Sequence, residues 1–220
     1  MRSKLLPFSL TILALFTFSV GPIRSQTVVT FDDLYDNGFG TLITNAYQGL
    51  TWSNFGVVNS LLLSNSTSGH PFGYGYGMVS ASNVAFNYAG NPAEIDALGT
   101  KFDLLSTYLT GAFNSNLNIE VQGFRGGTLL YDTTVVASAT SPTLFTFDYM
   151  DIDRLYFNAF GGEPAFGGPS ESNFAMDNMT IEFIPEPSSL LLLGLGLSAL
   201  ALSHRVALPY PRSRHRRRRF

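Results

Sequence analysis

Apolar and polar residues alternate in short runs through the middle of the chain, and Gly, Asn and Pro separate these runs. Leu, Ile and Val alternate with Asn, Glu and Gln over residues 117–122, and residues 178–183 repeat the pattern with Met, Ile and Phe. A period of two puts one side chain in the core and the next in solvent, as in a half-buried strand. No amphipathic helical spacing stands out between residues 26 and 184. The pattern predicts an all-β domain.

Eleven runs rich in aromatic and β-branched residues are predicted to form strands. They cover residues 27–31, 50–58, 77–81, 84–88, 97–104, 108–113, 117–123, 129–137, 144–149, 154–160 and 174–184. Glycines within residues 123–127 predict a hairpin turn, and residues 161–169 predict a longer loop. About ten or eleven short strands suit two packed sheets, so the predicted fold is a two-sheet β-sandwich.

The first 25 residues have the layout of a secretory signal peptide. Arg2 and Lys4 precede an apolar run over residues 5–20, and the small residue Ser25 ends the segment. A basic start, an apolar centre and a small-residue site direct export and cleavage by signal peptidase. We expect cleavage after Ser25, which leaves residues 26–184 as the exported domain. An uncleaved N-terminal anchor is the alternative interpretation.

Residues 185–220 form a tail of three parts. Pro185, Glu186 and Pro187 interrupt the last predicted strand, an apolar segment follows over about residues 188–203, and residues 204–220 are basic. The arginines of this end are Arg205, Arg212, Arg214, Arg216, Arg217, Arg218 and Arg219. The uninterrupted apolar run is about 15 residues, against the roughly 20 that cross a bilayer, and a flanking arginine lengthens the span by reaching the interface. The pattern predicts a transmembrane helix with a cytoplasmic basic end, and a nucleic-acid-binding tail is the alternative.

The Pro-Glu-Pro box at residues 185–187, the apolar helix and the arginine-rich end together resemble the PEP-CTERM sorting signal. In that family an exosortase, a membrane protease of transpeptidase type, reads the signal. The resemblance implies an exported protein that the C-terminal helix anchors in the cell envelope, and a surface-associated or secreted product after processing. The tail departs from the usual pattern by continuing past Arg205 with Pro209 and Pro211.

The middle of the chain resembles the jelly-roll ectodomains that are common among PEP-CTERM proteins. The resemblance rests on its aromatic strands and glycine turns, on residues 31–34 and 47–52 at its start, and on residues 174–178 at its end. It implies a fold like that of carbohydrate-binding modules. Extracellular polysaccharide is the partner that such a fold suggests.

Charge is segregated along the chain. All 16 acidic residues lie between Asp32 and Glu186, where the basic residues are Lys101, Arg125 and Arg154, so this stretch carries a net charge of −13. Three basic side chains can neutralise few phosphates, which argues against nucleic acid as a partner of the folded part. The negative charge favours cations as small partners instead. The chain has no cysteine, which excludes disulfides, thiolate metal sites and cysteine nucleophiles.

Three aspartates are candidate metal ligands. Asp32 and Asp33 follow the first predicted strand and Asp177 lies in the last, and these two strands are commonly neighbours in jelly rolls. Oxygen ligands of this kind suit calcium, so a structural calcium site is one hypothesis. The alternative is that the same side chains cap turns and tie strand ends by hydrogen bonds.

Aromatic residues are candidates for stacking on sugar rings. Tyr74 and Tyr76 lie in a glycine-rich segment, residues 69–77, which we expect to form an open loop. Packing within the loop is the alternative for both. Trp52, the single tryptophan, lies in an alternating strand, which favours the core over ligand contact.

The inventory for catalysis is poor. His70 is the single histidine outside the terminal segments, and neither Gly-x-Ser-x-Gly nor His-Glu-x-x-His occurs. Carboxylates for a glycosidase are present, namely Glu94, Asp96, Glu120, Asp151 and Asp153, but no sequence pattern sets two of them across a cleft. We therefore predict a non-enzymatic protein without catalytic residues that binds matrix polysaccharide. A purely structural or adhesive surface protein, and an envelope glycoside hydrolase or lyase, are the alternatives.

Overall fold

The structure is a computed structural model, and it describes residues 25–64, 72–167, 170–184 and 194–200. The predicted signal peptide up to Arg24, the Pro-Glu-Pro box and the basic end lie outside the described residues. Ser25 is the first residue of the first strand. Residues 194–200, within the predicted apolar helix, are helical. No helix among the described residues is long and apolar enough to span a bilayer.

Strands are the main secondary structure of the described chain. These are β1 (Ser25–Val29), β2 (Thr41–Leu42), β3 (Thr51–Ser53), β4 (Phe55–Asn59), β5 (Asn83–Asn87), β6 (Ala93–Asp96), β7 (Lys101–Gly111), β8 (Asn114–Ser115), β9 (Leu117–Arg125), β10 (Thr128–Ala137), β11 (Thr143–Ile152), β12 (Arg154–Phe160), β13 (Glu163–Pro164) and β14 (Phe174–Ile184). Two short helices, α1 (Ser60–Ser64) and α2 (Phe72–Tyr76), lie between β4 and β5, and a 3-10 turn, Tyr88–Gly90, follows β5.

The strands form two large antiparallel sheets and one small one. The seven-stranded sheet has the order β11-β7-β14-β5-β4-β2, with β1 paired to β14. The five-stranded sheet has the order β10-β9-β12-β6-β3, and β13 pairs with β8. The predicted all-β sandwich is confirmed, because a single apolar core lies between the two large sheets.

The core joins the two sheets through aromatic contacts. Phe55 of the seven-stranded sheet meets Trp52 and Phe157 of the five-stranded sheet edge to face, with ring centroids 5.4 and 5.7 Å apart. Leu117, Ile119 and Val121 on β9 are fully buried, as their alternation predicts. Side chains of this size each contribute about 1.5–3 kcal/mol when buried, so the layer between the sheets is the main source of stability.

A second, smaller apolar cluster lies outside the sandwich core. Val84 and Phe86 of β5 pack with Val58 of β4 and with Leu63 and Tyr74 of the helical segment. The seven-stranded sheet is therefore apolar on both faces near β4 and β5. Helices α1 and α2 cover part of its outer face.

Several predicted elements differ from the structure. Residues 50–58 form two strands, because Asn54 takes a left-handed backbone conformation (φ 57°) and sends β3 and β4 into different sheets. Residues 97–104 and 108–113 were predicted as separate strands, but one long strand, β7, covers half of the first and most of the second. The predicted strand over residues 77–81 is a series of bends, and the predicted open loop at residues 69–77 contains α2.

Candidate functional site

Asp177, a predicted metal ligand, anchors a loop on the neighbouring segment of chain. Its Oδ2 accepts hydrogen bonds from the backbone N–H groups of Val79 (2.7 Å) and Ser80 (2.9 Å). Its Oδ1 accepts from the N–H of Asn178 (2.7 Å) and from the Ser80 hydroxyl (3.2 Å). The side chain is fully buried. One carboxylate therefore ties the bends after α2 to the middle of β14.

Asp32 lies close to Asp177, because β1 pairs with β14 as the sequence predicts. Its Oδ1 accepts a hydrogen bond from the N–H of Asn83 (2.9 Å). Burial raises the pKa of Asp177 to about 6, against the backbone hydrogen bonds that lower it, and the negative charge of Asp32 adds to the rise. Burial and the neighbouring charge of Asp32 therefore both disfavour the charged form of Asp177.

Asp33, the third predicted metal ligand, binds elsewhere: its Oδ1 accepts a 2.7 Å hydrogen bond from the Tyr47 hydroxyl. No group of three acidic or histidine side chains suited to a metal ion is present among the described residues. All four hydrogen bonds to Asp177 come from protein donors, which occupy the lone pairs that calcium would use. The contacts favour the hydrogen-bonding alternative, and the calcium hypothesis stays a prediction.

Trp52 lies in the core, as favoured from its strand position. It is 4% exposed, its Nε1 donates to the Tyr47 carbonyl at 3.0 Å, and its ring meets Phe31 and Phe55 edge to face. Neither face of the indole is free to stack on a sugar ring. Its role is therefore in packing.

Tyr74 and Tyr76 lie on helix α2 rather than in an open loop. Tyr74 packs between Phe86 and Phe113, with ring centroids 5.4 and 5.6 Å apart. Tyr76 is 38% exposed and stacks on Phe166 at 5.8 Å. Tyr74 lines a groove on the outer side of the seven-stranded sheet, and one face of Tyr76 is covered.

The most regular polar surface is the outer face of the five-stranded sheet, which we call the open face. One residue from every strand forms a row across it, in the order Ser53, Glu94, Tyr156, Gln122 and Asp132. None of these side chains is buried. The adjacent cross-strand row, which runs from Trp52 and Ile95 through Leu155, points into the core.

Hydrogen bonds hold much of the open face in place. The Gln122 amide donates to Glu120 Oε1 (3.3 Å) and to Asp132 Oδ2 (3.1 Å). Asn158 on β12 donates to Glu120 Oε2 (3.4 Å). These contacts link β9, β10 and β12 through their side chains. Such links reduce the rotamer freedom that would be lost on ligand binding.

One cation lies among the acidic residues of this face. Arg154 pairs with Glu94 at 3.5 Å, and its guanidinium lies 4.3 Å from the centre of the Phe124 ring. Glu94 and Asp96 lie next to it on β6, and Glu120 and Asp132 lie farther along the same side of the sheet. The face is therefore negative and rich in hydrogen-bond acceptors, with apolar surface from Tyr156 and Phe124.

The site residues that sequence analysis missed are those whose position depends on strand pairing. Glu94 and Glu120 were noted as carboxylates, but Tyr156, Gln122 and Asp132 gave no signal beyond alternation. Alternation assigns each side chain to a face, whereas the row depends on the register of β6, β12 and β9, which are distant in sequence.

The fold and its open face define an all-β sandwich with a polar, ordered sheet surface. The tail adds a more specific assignment, because residues 183–206 match the PEP-CTERM protein-sorting motif. The chain thus carries the C-terminal sorting signal of an exported protein. No curated protein matches the sequence.

The solved structures to which this chain is similar are distant in sequence. A DUF4465 family protein from Bacteroides ovatus is 12% identical, with a TM-score of 0.44 over 73% of this chain and 99% of that one. A family 29 carbohydrate-binding module from Piromyces equi is 13% identical, with a TM-score of 0.36 over 72% of this chain and 90% of that one. A family 32 module from Clostridium perfringens, in complex with galactose, is 14% identical, with a TM-score of 0.33 over 61% and 94%.

Proposed function

We propose that this protein is exported to the cell envelope, processed by signal peptidase and exosortase, and binds a neutral matrix polysaccharide without catalysis. The C-terminal helix holds it in the membrane before processing, and the processed protein is surface-associated or secreted. The observation that supports binding is the row across the open face. It brings one solvent-facing side chain from each of five strands into line around Tyr156.

The length of the row suits an extended chain. Neighbouring strands lie about 4.8 Å apart, so five strands place Ser53 and Asp132 roughly 19 Å from each other. A polymer that crosses the strands meets a new polar side chain at each step. Tyr156, at the middle of the row, offers an aromatic ring and a hydroxyl to such a chain.

The chemistry of the face selects hydroxyl donors. Its carboxylates accept hydrogen bonds and cannot donate them, whereas sugar hydroxyls donate. The negative charge of Glu94, Glu120 and Asp132 repels uronate or phosphate groups, because Arg154 is already paired with Glu94. A neutral polysaccharide is therefore the ligand class that this face supports best.

The same contacts argue against a glycosidase on this face. Glu94 is held by Arg154, and both oxygens of Glu120 accept hydrogen bonds from amides. A general acid must instead carry a proton to give to the glycosidic oxygen. The proposed role of the two glutamates is to bind hydroxyl groups.

Affinity electrophoresis through gels that contain a neutral or a uronate polysaccharide tests the proposal. We expect the neutral polymer to retard the protein and the uronate polymer to leave its mobility unchanged. Tyr156→Ala and Gln122→Ala should each reduce the retardation at least threefold. Tyr35→Ala, which removes a tyrosine that is 84% exposed and outside the row, is the matched control. Equal retardation of wild type and Tyr156→Ala would exclude the open face as the binding site.

A further inference from the structure

We infer that a groove on the other side of the molecule is a second site, which binds the protonated amino group of an amino sugar. The groove lies on the outer side of the seven-stranded sheet and uses none of the residues of the open face. The inference therefore stands whether or not the open face binds a neutral chain. We call this surface the aromatic groove.

The walls of the groove are aromatic rings in mutual contact. Its volume is about 390 Å³, which lies within the range of small-ligand sites. Neighbouring centroids are 5.3 Å apart for Phe72 and Phe113, 5.6 Å for Phe113 and Tyr74, 5.4 Å for Tyr74 and Phe86, and 5.8 Å for Phe86 and Tyr88. The rings form one continuous surface from α2 to the turn after β5.

Phe39 also lines the groove, and it belongs to a turn that hydrogen bonds hold in place. The ring is 89% exposed although it lines the groove. The buried Asp36 accepts hydrogen bonds from the N–H of Gly38 (2.6 Å), the Thr41 hydroxyl (2.9 Å) and the N–H of Asn59 (3.0 Å). A large apolar ring that is held in solvent by an ordered turn is positioned to contact a ligand rather than to pack in the core.

Tyr88 is held in a similar way on the sheet side of the groove. Its N–H donates to the Asn54 carbonyl at 2.9 Å, and the side chain is 44% exposed. Asn54 in turn donates from its side chain to the Tyr88 carbonyl at 3.1 Å. Both exposed rings, Phe39 and Tyr88, therefore belong to backbone segments that hydrogen bonds fix in place.

Glu171 supplies the charge of the groove. It lines the groove, its side chain is exposed, and within the part of the chain that the structure describes it forms no ion pair or hydrogen bond. Burial raises the pKa of Tyr74, and the negative charge of Glu171 adds to this rise. No basic side chain is present among the described lining residues.

Aromatic faces and an unpaired carboxylate both attract a cation. The faces of Phe and Tyr carry negative potential, and a cation over them gains more when it also leaves water. A protonated amino sugar combines this positive charge with apolar C–H faces that stack on rings. A neutral hexose and an N-acetylated hexose have the apolar faces but lack the charge. The groove is therefore expected to rank glucosamine units above both.

Calorimetry on the full chain tests this ranking. The protein is kept in a polyoxyethylene-ether detergent, which contains neither sugar nor ammonium groups. The ligands are β-1,4-linked tetramers of glucosamine, N-acetylglucosamine and glucose at pH 6. We expect the glucosamine tetramer to bind at least tenfold more tightly than the other two. Added salt should weaken it, because the interaction is between charges.

Three variants assign the binding to the groove. Glu171→Gln and Phe39→Ala should each weaken glucosamine binding at least fivefold, while Glu163→Gln, an exposed glutamate outside the groove, should leave it unchanged. Thermal melts that match wild type confirm that the variants are folded. Equal affinity for the three tetramers, no binding of glucosamine, or full binding by folded Glu171→Gln would each overturn the inference. Tyr156→Ala separates the two sites: it should reduce retardation by neutral polysaccharide at least threefold and leave glucosamine binding intact.

Discussion

Replacing Asp177 with Asn should remove most of the pH dependence of folding between about pH 4 and pH 7. Asp177 is fully buried beside Asp32, and its pKa is raised from 3.8 to about 6, first by burial and then by the charge of Asp32. A carboxyl with a raised pKa in the folded state favours folding while it is protonated. Its contribution is complete below the unfolded pKa and is lost as the pH rises through about 6.

The size of the effect follows from the shift. Each unit of pKa difference corresponds to about 1.4 kcal/mol, so a rise from 3.8 to about 6 corresponds to about 3 kcal/mol of stability lost on ionisation. That is a large part of the roughly 5–15 kcal/mol that stabilises a domain. The Asn variant keeps an oxygen for Val79 and Ser80 but turns an amide NH₂ toward the N–H of Asn178, which costs about 1–2 kcal/mol.

The loss of stability on ionisation of Asp177 and the cost of the Asn amide change the order of stability of wild type and variant between pH 4 and pH 7. At pH 4 the variant should be less stable than wild type, and at pH 7 it should be equally or more stable. Urea unfolding at several pH values, followed by fluorescence of the buried Trp52, measures both free energies of unfolding. Asp148→Asn, an exposed aspartate on β11, is the control and should keep the wild-type slope. A wild-type stability that rises from pH 4 to 7, or a variant with the same slope, would refute the reasoning.

The same assay decides between the two interpretations of the aspartates. A calcium ion on Asp32 and Asp177 would favour their charged forms and reverse the slope, so that stability would rise with pH. We expect melts with millimolar calcium and with chelator to coincide, because protein donors already fill both oxygens of Asp177. A calcium-dependent rise of several degrees in Tm would instead establish the metal site.

Two further predictions concern packing and sorting. Gly73→Ala should destabilise the fold by at least about 2 kcal/mol, since a Cβ there would lie 1.8 Å from the Gly111 carbonyl oxygen. Gly99→Ala is the control for backbone strain without a clash, because Gly99 has φ 91° and open space around it. An equal loss in both variants would contradict the packing argument. Glu186→Ala should leave the unprocessed chain in the membrane fraction, while the control Ser188→Ala should be processed normally. Cell fractionation with a tagged chain checks this. Identical processing of wild type and both variants would count against the sorting box.

Features that depend on neighbouring residues could be predicted from the sequence, and features that depend on distant contacts could not. The alternation in β9 and β14 predicted strands and buried faces correctly, because a period of two depends only on neighbours. The break at Asn54 lies inside a continuous run of strand-forming residues, and the contacts that hold it are distant in sequence: its side chain donates to the carbonyls of Tyr88, Asn91 and Pro92. Helix α2 likewise depends on a distant partner, because the N–H of Gly73 donates to the Ala112 carbonyl at 2.7 Å.

The candidate sites followed the same division. Tyr74 was expected among ligand-contacting residues because of its glycine-rich surroundings, and it lines the aromatic groove. Phe39, Tyr88 and Glu171 come from separate loops that only the folded sheet brings together. A single sequence contains no periodic signal for such a convergence. These residues therefore became visible only with the structure.

The position of the tail relative to the two sheets bears on how an anchored protein reaches its ligands. The sorting motif begins at residue 183, in the last two residues of β14. This strand lies inside the seven-stranded sheet between β7 and β5, and β1 also pairs with it. A force on the tail is therefore shared among the strands that pair with β14. The longest of these pairings is with β7, over Lys101 to Gly111. The open face belongs to the other sheet, across the core. If the predicted anchor holds the protein at the membrane, the chain therefore leaves the domain from the sheet opposite the proposed polysaccharide surface.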